Sequence, residues 1–207
     1  MRLHFARHGE SQANVLHEIS NRGLRHPLTR RGRAQAIALA DRLHPLLITR
    51  IYSSPILRAI ETSVIVANRL GVDYEIVDAL REYHCGIAEG RADEVGWQLW
   101  HELFDAWVMH QRYEYRLEGG ESFYDIRDRF VPFVEGLVSR YGDSEAEIVC
   151  VAHGGVYWMM LPLVLGNVDH ALIAHYGFDY TACIVAELRP AGLVCVEWNG
   201  HVVDPAH

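Results

Sequence analysis

The sequence predicts an α/β fold built on a mainly parallel sheet, and three observations predict it. Short apolar strands alternate with helix-period segments between Leu3 and Val77, and each strand–helix–strand passage demands a crossover. The order apolar strand, histidine, glycine, helix occurs twice, at His8-Gly9 and at His153-Gly154-Gly155. Two apolar runs, 182–188 and 193–198, flank Arg189, Pro190, Ala191 and Gly192 and read as a hairpin.

The elements follow in order. Residues 3–6 form a strand that runs straight into Arg7, His8, Gly9 and Glu10, and Gly9 permits a sharp turn there. Residues 11–19 read as a short helix, Asn21-Arg22-Gly23 as a turn, and His26, before Pro27, as extended chain. Thr29 is a good N-cap for a helix over 30–43, where Ala36, Leu39, Ala40 and Leu43 recur at helical spacing, and Pro45 ends it. Residues 50–53 form the second strand. Ser54 and Pro55 open a helix to residue 70, with proline at its first position and Gly71 closing it. Residues 74–77 form the third strand, and 80–90 are irregular. A helix over 93–111 carries Trp97, Trp100, Phe104 and Trp107 three or four apart, a stripe that reads as helix packing ahead of a substrate wall. Ser122 and Asp125 resemble a capping box for a helix reaching Tyr141, which Pro132 should kink. Residues 148–152 are a strongly apolar strand leading through His153 into another apolar helix.

Composition narrows the function. The 207 residues are 50% hydrophobic and 22% charged, ordinary for a globular chain long enough for one domain and an inserted cap. A net charge of -8 argues against general nucleic-acid binding. All 19 basic residues are arginine, a bias that reads as genomic base composition but excludes a lysine Schiff base and a P-loop lysine. Cys85, Cys150, Cys183 and Cys195 form no CxxC pair, and three lie in β-like runs. A reducing compartment, the cytoplasm, is the expectation. If Arg7 and His8 form the site, the fold has begun by Leu3 and no signal peptide is expected; the longest apolar run, 156–165, is too short for a bilayer. The 13 histidines invite a zinc-hydrolase reading, but HExxH is absent and His170 and His175 are five apart, awkward for one helical face; no metal is expected.

A lone histidine after a strand either hydrogen-bonds in the core or acts, and the residues around His8 leave both readings open. The rest of the chain favours action. Arg7 and His8 follow the first strand, Arg58 lies in the first turn of the helix after the second, and His153 follows a later strand. Parallel neighbours would bring all four to one crevice at the strands' carboxyl ends, a site for a doubly charged anion. Phosphate fits best: Arg7, Arg58 and His153 hold its oxygens and His8 attacks. Glu82 is the chosen acid, its competing reading a surface salt bridge with Arg81.

Arg7-His8-Gly9-Glu10-Ser11 with Asn14 resembles the signature of the histidine phosphatase superfamily, the phosphoglycerate mutase-like fold. The resemblance continues through Pro27-Leu28-Thr29 with Gly32, Ser53-Ser54-Pro55 with Arg58, Ala59 and Thr62, Leu80-Arg81-Glu82, Gly119-Gly120-Glu121-Ser122 and His153-Gly154-Gly155. It implies a three-layer α/β/α sandwich with a mostly parallel, mixed sheet. It implies that His8 is phosphorylated, that Arg7, Arg58 and His153 bind the phosphoryl group, that Glu82 donates the proton, and that Asn14 and Gly154 help to hold phosphate or substrate. The chain departs from the pattern at Glu61, where glutamine is frequent, and at 83–90, which lacks an aromatic before Glu89-Gly90.

The expectation is a single domain, 1–207, with a cap-like insertion at about 83–121, hydrolysing a small-molecule phosphomonoester without cofactor, nucleic acid or membrane; the oligomeric state is left open. The alternatives are a cofactor-dependent phosphoglycerate mutase and a non-catalytic phosphate-binding regulatory module. Glycine at 155 and Cys85, where mutases tend to carry asparagine and tyrosine, disfavour the mutase; Arg112 and Arg116, as candidates for a substrate carboxylate, keep it in play. The arginines at 22, 25, 30, 31 and 33 read as a solvated face.

Overall fold

Leu3, Phe5 and Ala6 are fully buried, as a strand covered on both faces requires. They belong to β1 (Arg2–Arg7), near the middle of a seven-stranded sheet in a computed structural model that describes residues 1–204. The other strands are β2 (Ile48–Ser53), β3 (Tyr74–Ile76), β4 (Glu147–Ala152), β5 (Cys183–Arg189), β6 (Gly192–Trp198) and β7 (His201–Val202). Their order is β3-β2-β4-β1-β5-β6-β7. The first four strands of that order run parallel, whereas β5, β6 and β7 join by antiparallel pairings. The sheet is therefore mixed, and its parallel half carries the predicted crossovers.

Alternation along the central strands feeds two cores. On one face Ile51, Val149 and Val151 meet Leu39, Ala40 and Leu43 of α2 (Arg30–Leu43) and Ala59, Val66 and Ala67 of α3 (Leu57–Leu70). On the other, Phe5, Ile148 and Cys150 meet α4 (Glu94–Val108), α5 (Phe123–Tyr141), α6 (Gly154–Val164) and α7 (His170–Tyr176). Phe5 sits edge-on to Tyr157 at 5.6 Å, and Phe5 and Phe130 each contribute roughly 1.5–3 kcal/mol by burial. This is the three-layer α/β/α sandwich. Within residues 83–121, Leu103, Ala106 and Trp107 of α4 are buried in the same core as Phe5.

Several boundaries moved for identifiable reasons. The first helix, α1 (Gln12–Leu16), stops early because His17 takes the left-handed conformation at φ 51°. The helix expected from Ser54 begins at Leu57, with Ile56 at the cap, and the Ser54 hydroxyl both accepts from the Ile56 N–H and reaches His153. The Ser122–Asp125 box forms as expected. Pro132 lies within α5 and the helix continues past it, held by buried Phe130, Val134 and Leu137. Neither α7, whose Asp169 cap accepts from the Leu172 N–H at 2.8 Å, nor the two-residue β7 gave a periodic signal.

The turn after β1 is fixed by backbone contact. A β-carbon on Gly32 would lie 1.9 Å from the Glu10 carbonyl oxygen, and one on Gly9 would lie 2.5 Å from the Gly32 carbonyl oxygen. Two bare backbones thus seat the start of α2 against Arg7–Glu10. Gly32→Ala is expected to cost at least about 1–3 kcal/mol, read as a lowered midpoint in urea unfolding with an unchanged slope.

Candidate active site

Strand register brings the site together. Arg7 of β1 pairs with Ala152 of β4, so His8 and His153 leave adjacent parallel strands side by side. Their ring centroids are 5.0 Å apart, and the His8 N–H donates to the Ala152 carbonyl at 3.0 Å. Ser53 of β2 pairs with Val151, which sets Ser54 beside them. All three chain ends open on the carboxyl edge of the parallel strands, where such sheets keep their ligands.

Arg58, 5% exposed in the first turn of α3, reaches across this edge. Its Nε–H donates to His8 Nε2 at 2.9 Å and its Nη1 to the Ser20 carbonyl at 2.6 Å. His8 Nδ1 donates to the Gly9 carbonyl at 2.7 Å. His8 is therefore neutral, with its proton on Nδ1 and its lone pair on Nε2. Burial first, then Arg58 and Arg7, hold its pKa well below 6.5. Burial also pushes the Arg58 guanidinium down to about 10.

His153 adopts the same tautomer, fixed by a different neighbour. The Ser54 hydroxyl accepts from the Ile56 N–H at 3.3 Å, and its own hydrogen has one acceptor in reach, His153 Nε2 at 2.7 Å. That leaves the proton on Nδ1, which is buried with no partner among the described residues. Arg7 presents a second orphan. Its Nη1 donates to the Phe178 carbonyl and its guanidinium lies 4.5 Å from the Tyr180 ring centre, but its Nε is buried and unpaired. Two buried donors without acceptors beside a cationic arginine mark an oxyanion position.

Glu82, 7% exposed, accepts from the Tyr83 N–H at 3.1 Å and from the Gly155 N–H at 2.9 Å. A β-carbon on Gly155 would lie 2.7 Å from Glu82 Oε2, so only glycine lets the carboxyl group reach the start of α6. Burial raises the Glu82 pKa above 4.5 against the opposing pull of those N–H groups and Arg58. The salt bridge to Arg81 does not form; Arg81 pairs with Glu121 at 2.8 Å.

Arg7, His8, Asn14, Arg58, Glu82 and Gly154 all line one cleft of about 190 Å³, and His153 packs beside His8. Asn14 Oδ1 accepts from the Ser11 N–H and hydroxyl at 2.9 and 2.8 Å, which leaves its amide N–H groups for the cleft. A larger hollow of about 300 Å³ lies by His4 and Cys183, so chemistry, not size, distinguishes the smaller one. Among the described residues no three His, Cys, Asp or Glu side chains are arranged to hold a metal ion. Glu61, where the pattern has glutamine, accepts from the Leu28 N–H at 2.5 Å and from Arg33 at 2.6 Å, a tie between α3 and the chain before α2.

Sequence reasoning missed Ser54, whose place before a proline reads as a helix cap, and the Phe178 and Tyr180 cradle of Arg7, which no motif marks. Ser54→Ala is expected to release the His153 tautomer, seen as ¹⁵N shifts drifting from the Nδ1-protonated pattern. It should weaken inorganic phosphate binding about 3- to 10-fold, with Ser54→Thr retaining both properties.

Comparison with known proteins places the chain in a family. Residues 3–201 match the model of the histidine phosphatase superfamily, branch 1. A glucosyl-3-phosphoglycerate phosphatase of Mycolicibacterium vanbaalenii is 34% identical over 179 residues, covering 80% of this chain and 74% of that protein. A Salmonella choleraesuis protein named "Probable phosphoglycerate mutase GpmB" is 31% identical over 172 residues, covering 80% and 75%. The crystal structure of the alpha-ribazole phosphatase from Shigella flexneri superposes with a TM-score of 0.78 at 25% identity, over 99% of this chain and 98% of that one. With the family model matched over nearly its full length, the chain belongs to the histidine phosphatase superfamily.

Proposed function

We propose that this chain is a phosphomonoester hydrolase that works through a phosphohistidine at His8 Nε2. The observation that carries the reading is an unprotonated imidazole nitrogen, held by Arg58, beside two orphaned buried donors, Arg7 Nε and His153 Nδ1. A phosphoryl group entering the cleft gives those donors acceptors and draws the Arg58 Nε–H off His8. Nε2 then attacks phosphorus, the N–P bond forms and the ester P–O bond breaks. The departing oxygen takes the proton of Glu82, whose buried carboxyl group holds it more tightly than an exposed one. In the second half Glu82 takes a proton from water, the water oxygen attacks phosphorus, and His8 leaves with its lone pair restored. Asn14 and the Gly154 backbone complete the phosphoryl cradle.

The segment from about 83 to 121 serves in this reading as a cap over the leaving group, because α4 presents Trp97 and Trp100 to the cleft. Substrates are small phosphomonoesters, the class on which the phosphatase relatives act by name. A cytoplasmic location is supported by four free, buried cysteines; among the described residues no helix is long and apolar enough to cross a membrane.

His8→Ala is expected to abolish turnover of an aryl phosphate and to remove an acid-labile, alkali-stable phosphoryl label from the quenched protein. Glu82→Gln should slow alkyl phosphates about 10²- to 10⁴-fold and p-nitrophenyl phosphate far less, since a good leaving group needs no proton. In the wild type, kcat/KM for alkyl esters should fall as pH rises through the Glu82 pKa, which lies above 4.5. The acid side should stay flat to below 6.5, because His8 remains unprotonated there. Glu82→Gln should erase the alkaline fall, and a profile unchanged by that substitution would assign the acid elsewhere.

A further inference from the structure

The leaving-group end of the cleft has its own chemistry, and its reading rests on the phosphohistidine mechanism above. Among the described residues lining the cleft, the only arginines are Arg7 and Arg58, both at the phosphoryl end. The arginines that sequence offered for a substrate carboxylate are occupied elsewhere. Arg116 Nη1 pairs with Asp125 at 3.2 Å, and Arg112 lies over the Tyr115 ring at 4.7 Å. Arg25 is paired with Glu18 Oε1 at 3.4 Å and is not among the lining residues, and Arg22 lines a separate hollow beside His84. A second anionic group on the substrate would find no lining arginine beyond Arg7 and Arg58, and Arg25 beside Glu18 is already paired.

It would instead meet a carboxylate. Glu18 lines the cleft, half-buried, with Oε1 taken by His26 Nε2 at 2.9 Å and by Arg25. No hydrogen bond from the described residues reaches its Oε2. Two indoles line the same cleft. Trp97 is pinned by its Nε1–H to the His17 carbonyl at 2.9 Å, and Trp100 is stacked on Phe104 at 5.4 Å with an interplanar angle of 23°. The two indoles meet edge to face at 5.8 Å. These rings are fixed before any ligand arrives, so stacking on them requires little ordering.

We infer that the enzyme selects phosphomonoesters of uncharged, hydroxyl-bearing ring alcohols, a sugar or nucleoside type of leaving group. The ring lies in the corner between Trp97 and Trp100, and a ring hydroxyl donates to Glu18. Esters that carry a carboxylate, phosphoglycerates among them, are rejected by Glu18 and by the lack of a partner cation. Glu18, Trp97 and Trp100 are then the specificity-determining residues.

The test is a comparison of kcat/KM for a hexose phosphate, a ribonucleoside 5′-monophosphate, glycerol 3-phosphate and 3-phosphoglycerate, the last also with 2,3-bisphosphoglycerate present. Ring esters should exceed 3-phosphoglycerate by about 10- to 100-fold, and glycerol 3-phosphate should fall between. Trp100→Ala should lower kcat/KM for ring esters about tenfold more than for glycerol 3-phosphate, mainly through KM; Trp100→Phe, which keeps the packing on Phe104, should recover much of that ratio. Glu18→Gln should raise the relative rate with 3-phosphoglycerate. A wild type that turns over 3-phosphoglycerate as well as ring esters, or a Trp100→Ala loss equal for ring and acyclic esters, would overturn the inference. The acid-labile label on His8 separates the two levels of the reading. If the label forms and discharges without ring preference, only the substrate class is wrong; if no ester produces it, the phosphohistidine mechanism fails and this inference with it.

Discussion

The site depends on one pairing, the parallel register of β1 with β4 that sets Arg7 opposite Ala152. Because both strands end at the same level, the next residue on each is a histidine whose ring meets the other at 5.0 Å. A slip of one residue would send one imidazole to the opposite face of the sheet. Register is secured by the buried alternation of Leu3, Phe5 and Ala6 against Ile148 to Ala152, none of which tolerates solvent. Core packing and chemistry are thus the same constraint seen at two ends of a strand.

Around that pair the structure divides electrostatic labour by burial. Burial first, then the neighbouring arginines, hold both histidines' pKa values well below 6.5. Each ring is held in one tautomer by a single neighbour, the Gly9 carbonyl for His8 and the Ser54 hydroxyl for His153. Glu82 is the counterpart, a carboxyl group whose burial outweighs two backbone donors. The cleft so presents donors, a lone pair and a reluctant acid, all fixed before a ligand enters.

Much of this was legible in the sequence because parallel strands put their functional residues at strand ends next to glycine. Arg7, His8, Arg58, Glu82 and His153 come together as the motif order implied, and Thr29 and Ser122 cap the helices they were assigned. What stayed hidden involved partners distant in sequence and without pattern. Ser54 reads as a cap until β2 is seen beside β4. Arg112 and Arg116 read as solvated cap arginines ahead of substrate ligands, and the structure sets them beside Tyr115 and Asp125. The tryptophan stripe of α4 is both packing and wall, a division that periodicity does not make: Trp107 is buried, while Trp97 and Trp100 reach the cleft.

The contact between Arg58 Nε and His8 Nε2 has a consequence for the resting protein. The nucleophile is sheathed: its reactive electrons are hydrogen-bonded to the same guanidinium that a phosphoryl oxygen must recruit. Arrival of cargo and exposure of the reactive nitrogen are therefore a single event. An empty protein keeps its sharpest edge covered, and a visitor without an oxyanion does not uncover it.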